Sequence, residues 1–254
     1  MSVGRNSLPS GLTWPPLWVA VCVFIGSYLL SLVAALLLFP AFHPEPGQSP
    51  ATTWIVAVDL ATHLALAVLS ARAILVRNPS RLPAAGTYAA DPASPDVEAR
   101  SAAVAFLTRV QRSDLELAAR ALLFLAPVVG LLMWVQTRTG FVMTLEDWQI
   151  EVLAHPLVLV STFTLVPVAE ELFFRGVLYG SLEKWGYRTA FLGTVAVSAL
   201  VHWPLPHVVG ALPGMVAFTW LRRRTGRLAP PVIAHALYNF LLVGGALVVG
   251  ALLG

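Results

Sequence analysis

The stretch LWVAVCVFIGSYLLSLVAALLLF, residues 17–39, decides the class of fold. It carries no charged residue, and a helix needs about 20 mostly apolar residues to cross a bilayer. The apolar core of a signal peptide is shorter, about 7–15 residues, so this stretch is expected to remain as a membrane span. Trp14 and Trp18 suit the membrane interface, and Pro40 is expected to end the helix.

The composition of the whole chain favours the same class of fold. Of its 254 residues, 57% are hydrophobic and only 11% are charged. A soluble domain of this size needs fewer apolar residues for its core and more charges for its surface. The sequence therefore predicts an all-α, polytopic membrane helical bundle of about seven or eight transmembrane helices.

Six further spans follow the first along the chain. Those at 189–202 and 207–221 are short, so an eight-span or partly re-entrant arrangement stays open. We expect residues 1–135 to hold N-terminal spans with a cytoplasmic amphipathic loop at 77–116, and residues 150–254 to form a separate core. The six spans are predicted at 53–76, 117–135, from 152, at 189–202, at 207–221 and from 231 onward.

Basic residues predict the orientation, because cytoplasmic loops of membrane proteins carry an excess of Lys and Arg. With the N-terminus in the cytoplasm, twelve of the sixteen basic residues fall on the cytoplasmic side, and only Arg138 falls in an outer loop. The chain is therefore expected to be a multi-pass protein of the cell (inner) membrane. The basic run 222–227 fits a topology signal, so we expect no nucleic-acid partner. The twelve are Arg5, Arg77, Arg81, Arg100, Arg109, Arg112, Lys184, Arg188, Arg222, Arg223, Arg224 and Arg227.

The stretch EELFFR, residues 170–175, places three ionisable groups inside the fourth span. Such groups cost about 2.5–3.5 kcal/mol each in a span, so they are usually paired, hydrated or functional. Glu171 and Arg175 are four residues apart and can pair on one helix face. Glu170 points about 100° away. One carboxylate is then neutralised and the other is left to accept a proton from water, although a purely structural ion network would use the same spacing.

Two later spans add polar groups that suit the same chemistry. His202 ends the fifth span, and His235 and Asn239 lie four residues apart in the seventh, after the helix-starting pair Pro230 and Pro231. An imidazole beside a carboxylate can share the activation of water. A second imidazole and an amide can donate hydrogen bonds to a developing oxyanion.

These pieces resemble the CAAX protease and bacteriocin-processing family of intramembrane proteases, also called CPBP or Abi. Its pattern is Glu-Glu-x-x-x-Arg, then Phe-x-x-x-His, then His-x-x-x-Asn or Asp. The resemblance covers about a third of the chain, residues 156–240. The matching positions are Glu170, Glu171 and Arg175 in the first motif, His202 in the second, and His235 and Asn239 in the third.

The second motif departs from the family pattern at one position. Ser198 stands where the family usually has Phe, four residues before His202. The aromatic residue is a packing element, so its loss removes no reactive group. Either His202 or His207 can be the second-motif histidine, and the position directly before Trp203 favours His202.

The resemblance implies a glutamate-dependent peptidase that uses no metal and no cofactor. Glu170, assisted by His202, would activate water for attack on a scissile carbonyl. His235 and Asn239 would stabilise the oxyanion that forms.

The same resemblance implies that Glu171 and Arg175 hold the site together. The site would be a water-filled cavity open to the lipid bilayer, and its partner a membrane-anchored peptide or protein substrate. The family includes processors of prenylated C-termini, of bacteriocin leaders and of C-terminal sorting signals. The Ala-, Arg- and Pro-rich sequence is typical of a bacterial member, which speaks against prenyl processing.

Two other hydrolase sites can be drawn from the same residues. Glu170, His202 and His235 have the ligand types of a His₂Glu zinc site, but the chain lacks the His-Glu-x-x-His scaffold. Ser198 and His202 could form a serine dyad, but no Gly-x-Ser motif supports a nucleophile there.

A non-enzymatic alternative is a membrane scaffold, immunity or transport protein that uses the polar network structurally. Asp59, His63 and Arg72 in the second span are compatible with a proton or ion path. Asp59 and His63 are also four residues apart, so they can form a local network on one helix face.

Overall fold

The computed structural model describes residues 14–38, 50–77, 105–106, 109–141 and 147–244. All regular structure within these residues is helical. The helix α6 contains a π-helical segment at Leu172–Leu178, and α9 continues into another at Phe240–Gly244. The helices are α1 Leu17–Leu38, α2 Pro50–Arg77, α3 Arg112–Thr139, α4 Asp147–Ala154, α5 Pro156–Phe163, α6 Leu165–Glu183, α7 Tyr187–Val201, α8 Leu205–Thr225 and α9 Ala229–Asn239.

Three of these helices, α1, α2 and α3, are long and apolar enough to cross a membrane. A fourth span results if α5 and α6, which are bent by 41° at Thr164, are counted as one. The helices α7 and α9 are apolar but shorter. An all-helical membrane fold is thus confirmed, whereas the predicted count of seven or eight spans is not. Most of the predicted amphipathic loop at 77–116 lies outside the described residues.

The outer faces of α1 and α3 are covered with exposed apolar side chains. Leu37 is 75% exposed, and Leu123 and Phe124 are 78% and 79% exposed. Apolar surface on this scale is unfavourable in water and favourable against lipid tails. These two faces are therefore the surfaces that contact the bilayer.

The core that positions the site forms where α1 and α2 pack against α6. Its centre contains Ile74 of α2, together with Phe173, Phe174 and Val177 of the π-helical segment, all at most 2% exposed. The ring of Phe24 in α1 packs 5.4 Å from that of Phe173. The apolar side of α6 is thereby held against α1 and α2.

A buried arginine of α8 also fixes the backbone of the π-helical segment. Arg222 is 1% exposed, and its Nε donates a 2.9 Å hydrogen bond to the carbonyl of Arg175. Its guanidinium lies between the rings of Trp14, Phe106 and Tyr179, at 4.8–5.3 Å from their centroids. Cation–π contacts of this kind offset part of the cost of burying the charge. The backbone beside the acidic motif is therefore anchored from α8.

Gly180 allows Trp14 to lie directly against α6, and replacing it with alanine is expected to destabilise the fold. An added Cβ would lie 2.2 Å from Cδ2 of the Trp14 ring. Displacing a packed ring typically costs about 1–3 kcal/mol. We expect a lower melting temperature for the purified protein in detergent. The control is Gly130→Ala, since a Cβ added there would meet no neighbouring atom of the described residues within 4 Å. A drop in melting temperature equal to that of Gly180→Ala would contradict the packing argument.

Candidate active site

Glu171 is the buried centre of the polar network. It is 0% exposed, and its Oε1 accepts hydrogen bonds from Nη1 of Arg175 at 2.8 Å and from Nδ1 of His235 at 2.9 Å. The sequence predicts the first contact from the four-residue spacing. The second contact joins α6 to α9, and this role of Glu171 was not predicted.

Arg175 uses its remaining donors to join α6 to α8. Its Nη2 donates to the carbonyl of Met215 at 3.0 Å, and its Nε donates to Oγ1 of Thr219 at 3.3 Å. The rings of Phe174 and Phe218 lie 5.7 and 5.6 Å from the guanidinium carbon. A buried charge with this many partners fits the supporting role predicted for Arg175.

Glu170 faces away from this network and lies between two imidazoles. Nε2 of His202 is 3.9 Å from Oε2, and Nε2 of His63 is 3.9 Å from Oε1. These separations exceed a hydrogen bond, which is common for catalytic groups before substrate binds. The side chain of Glu170 is 17% exposed, in contrast to the fully enclosed Glu171.

The helix backbone sets the tautomer of both imidazoles. Nδ1 of His202 lies 2.8 Å from the carbonyl of Ser198, and Nδ1 of His63 lies 2.9 Å from the carbonyl of Asp59. A carbonyl can only accept, so each Nδ1 carries the proton, and each Nε2 is left to exchange a proton with Glu170.

A cavity of about 290 Å³ opens beside Glu170. His202, His235 and Asn239 reach its wall from α7 and α9, and Gln136 reaches it from α3. Most of the remaining wall is apolar, which suits an apolar or membrane-associated ligand. The apolar wall residues are Val129, Met133, Pro206, Ala211, Met215, Phe218, Leu242 and Val243.

The structure brings the four predicted catalytic side chains, Glu170, His202, His235 and Asn239, to one cavity. His235 is held between Glu171 at Nδ1 and the ring of Phe218, which stacks on it at 4.9 Å. These assignments of catalytic role remain predictions.

Asn239 uses part of its amide for another contact. One N–H of Nδ2 donates to the carbonyl of Thr162 in α5 at 3.0 Å. An amide nitrogen has two N–H groups, so the second is left for the cavity. Asn239 is thereby positioned from α5 while lining the cavity wall.

The two candidate histidines of the second motif occupy different positions. His202 is the one beside Glu170, and His207 packs edge-on against it with ring centroids 5.1 Å apart. His207 also lines the cavity. The geometry therefore favours His202, as the position before Trp203 does.

His63 is a neighbour of Glu170 that the sequence reasoning did not place at this site. It is 107 residues distant in sequence and lies in α2, outside all three motifs. The only signal was an imidazole inside an apolar span, four residues after Asp59, which we interpreted as a local network or an ion path. That Asp59–His63 contact exists, with Nδ1 of His63 3.3 Å from Oδ1 of Asp59.

The two alternative hydrolase sites find less support in the geometry. Within the described residues, no group of three His, Cys, Asp or Glu side chains is arranged to hold a metal ion. His202 bonds the backbone carbonyl of Ser198 and not its hydroxyl. The arrangement suits proton transfer by a carboxylate with imidazole neighbours.

Comparisons with known proteins point to the same segment. Residues 152–241 match the model of the family described as Type II CAAX prenyl endopeptidase Rce1-like. The chain is also 31% identical over 91 residues to a Bacillus subtilis (strain 168) protein named "Putative membrane peptidase YdiL". That match covers 35% of this chain and 37% of the relative's length. No solved structure matches the chain. Residues 152–241 of this membrane protein are therefore similar to the CAAX protease and bacteriocin-processing family.

Proposed function

We propose that this protein is an intramembrane endopeptidase that hydrolyses a peptide bond with water activated by Glu170. The observation that carries the proposal is the position of this carboxylate at the wall of an apolar-lined cavity, between two Nε2 atoms at 3.9 Å. A carboxylate placed in this way can accept a proton from water. The similarity of residues 152–241 to the Rce1-like family model supports the same class of reaction.

In this mechanism Glu170 and His202 act on the attacking water. Glu170 removes a proton as the water oxygen bonds to the scissile carbonyl carbon. His202 presents Nε2 on the same side, since its Nδ1–H is held by the carbonyl of Ser198. Water, Glu170 and His202 would thus meet at the cavity wall.

The developing oxyanion is stabilised from α9. Glu171 accepts the Nδ1–H of His235, and a carboxylate behind an imidazole stabilises its protonated form. Protonated His235 donates from Nε2 to the oxyanion, and Asn239 donates its remaining N–H. Arg175 keeps Glu171 in place through the 2.8 Å ion pair.

The substrate is a peptide or protein tail that reaches the cavity from the membrane. The apolar wall from α3, α8 and α9 favours an apolar side chain or lipid-modified tail next to the scissile bond. The name of the Bacillus subtilis relative specifies a membrane peptidase but no substrate. The type of tail that is cut is therefore to be determined by experiment.

The test is cleavage by the full-length protein reconstituted in lipid nanodiscs. We would offer a prenylated C-terminal peptide, a leader peptide and a peptide with an apolar membrane tail, and identify products by mass spectrometry. We expect at least one peptide to be cut, and cutting to persist with strong chelators, in Ser198→Ala and in Cys22→Ala, since Cys22 is an exposed residue of α1.

Each contrary result points to a specific alternative. Activity lost with chelator and restored by zinc would replace glutamate catalysis with a metal mechanism. Activity lost in Ser198→Ala with normal folding would indicate a serine nucleophile. Wild-type protein that cuts none of the three peptides would favour the scaffold, immunity or transport alternative, for which the polar network is structural.

A further inference from the structure

His63 and Asp59 form a second acid–imidazole pair beside Glu170. They lie on α2, outside the residues 152–241 that match the family model. Nε2 of His63 lies 3.9 Å from Oε1 of Glu170, while His202 approaches the other oxygen, Oε2. His63 lies in α2, and α2 packs directly against the helix that carries Glu170. The carboxylate is therefore held between imidazoles from two different helices.

The surroundings of the two imidazoles differ in charge. Nδ1 of His202 faces only the carbonyl of Ser198 among the contacts that the structure gives it. Nδ1 of His63 faces the carbonyl of Asp59 at 2.9 Å and also its carboxylate oxygen Oδ1 at 3.3 Å. An anionic carboxylate at this position stabilises the protonated imidazole. His63 is thus better suited than His202 to hold an extra proton.

The two imidazoles also differ in their access to substrate. His202 lines the cavity, whereas His63 is not among the described residues that line it. Because His63 does not line the cavity, we expect that a peptide bound there does not touch it. Any effect of His63 on the reaction is therefore exerted through Glu170.

The stoichiometry of peptide hydrolysis creates a need for such a group. At neutral pH the products are a carboxylate and a protonated amine, so the leaving nitrogen gains two protons, both from the attacking water. One carboxylate can hold only one proton at a time. A neighbouring base that accepts the first proton leaves Glu170 ionised and ready for the second.

We propose that His63, backed by Asp59, is a positioning residue that stores a proton for Glu170 during hydrolysis. Glu170 takes the first proton as the water oxygen bonds to the carbonyl carbon and the carbonyl π electrons move to oxygen. That proton passes to Nε2 of His63, forming an imidazolium opposite Asp59. Nitrogen takes the stored proton through Glu170 as the oxyanion lone pair reforms the carbonyl and the C–N bond breaks, so a neutral amine leaves with the electrons of that bond. The remaining proton of the former water then passes through Glu170 from the new carboxylic acid to the amine, which gives a carboxylate and a protonated amine.

This inference rests on the proposed function, and its test is the kinetics of His63→Gln in nanodiscs. The probe is whichever of the three peptides the wild type cuts fastest. We expect kcat to fall by about 10-fold or more, but by less than the roughly 10²–10⁴-fold that a general base itself contributes, because His63 acts only through Glu170. KM should stay within about twofold, because His63 does not touch the substrate. Asp59→Asn should lower kcat less, and the double variant should be no worse than His63→Gln, since both act through one imidazole.

The matched control is His155→Gln, the same change at the start of α5, where the imidazole accepts from the backbone of Leu157 and does not line the cavity. It should keep wild-type kcat. A purely structural role for His63 would lower the yield of folded protein while leaving kcat per folded molecule unchanged, and that result would overturn the inference. A normal kcat in His63→Gln, together with an inactive Glu170→Gln, would overturn the proton-storing role of His63 and leave the proposed function standing. Activity in Glu170→Gln would overturn the proposed function itself.

Discussion

Replacing Glu170 by glutamine is expected to reduce cleavage by about 10³-fold or more. The amide has nearly the shape of the carboxylate but cannot accept a proton from water, and general-base catalysis typically contributes 10²–10⁴-fold. Among the described residues, Glu170 has no ion-pair partner closer than 3.9 Å, so the neutral side chain should fit without disturbing the fold. The measurement is the initial rate of peptide cleavage in nanodiscs, divided by the amount of folded protein.

The matched control for this change is Glu116→Gln on α3. Glu116 is half exposed and pairs with the exposed Arg112 at 3.6 Å, so its neutralisation should leave the cleavage rate unchanged. If Glu170→Gln retains more than about a tenth of wild-type activity, then general-base catalysis at this carboxylate is excluded on the same magnitudes.

Replacing Arg175 by methionine is expected to cause the largest loss of stability. The change removes the 2.8 Å partner of Glu171 and leaves that carboxylate buried, with His235 as its one donor in the described part of the chain. Removing one member of a buried ion pair typically costs about 3–5 kcal/mol. Thermal unfolding in detergent should show a much lower midpoint, and the surviving folded fraction should cleave slowly because His235 loses its fixed support.

Two further variants separate charge from side-chain volume. Arg112→Met is the same change in an exposed pair, also spaced by four residues, and should leave the unfolding midpoint unchanged. Adding Glu171→Gln to Arg175→Met removes the orphaned charge, so part of the lost stability should return while activity stays low. If the single Arg175→Met variant melts like the wild type, the guanidinium does not contribute the stability that its three hydrogen bonds to α6 and α8 indicate.

The first three spans could be predicted closely because apolar length alone specifies them. The sequence gives 17–39 for a helix found at Leu17–Leu38, and 53–76 for one found at Pro50–Arg77. The fourth span was expected to be a single helix from 152 onward, and in the structure it is interrupted twice. Its breaks lie near Pro156 and Pro167, whose missing N–H groups weaken a helix, but apolar length gives no sign of where such a helix bends.

The candidate site was predictable where its residues share a local spacing. The pairing of Glu171 with Arg175 follows from their separation of four residues, and the different direction of Glu170, about 100° away, follows from the helical period. The approach of His63 could not be derived in this way, since it depends on how α2 packs against α6. His235 and Glu171 are 64 residues apart in the sequence and lie on different helices. No rule of local spacing predicts a contact between residues so far apart in the chain.

The bend at Thr164 has a consequence for the far end of the site. In an uninterrupted helix the carbonyl of Thr162 would be bonded to the N–H of Val166 four residues ahead. Because α5 stops at Phe163, its last carbonyls lack partners within the helix, and the amide of Asn239 occupies one of them. The interruption therefore creates an acceptor that fastens α9, and with it the imidazole of His235, to a different part of the chain. A continuous transmembrane helix at this place would have no free carbonyl to which α9 could be attached.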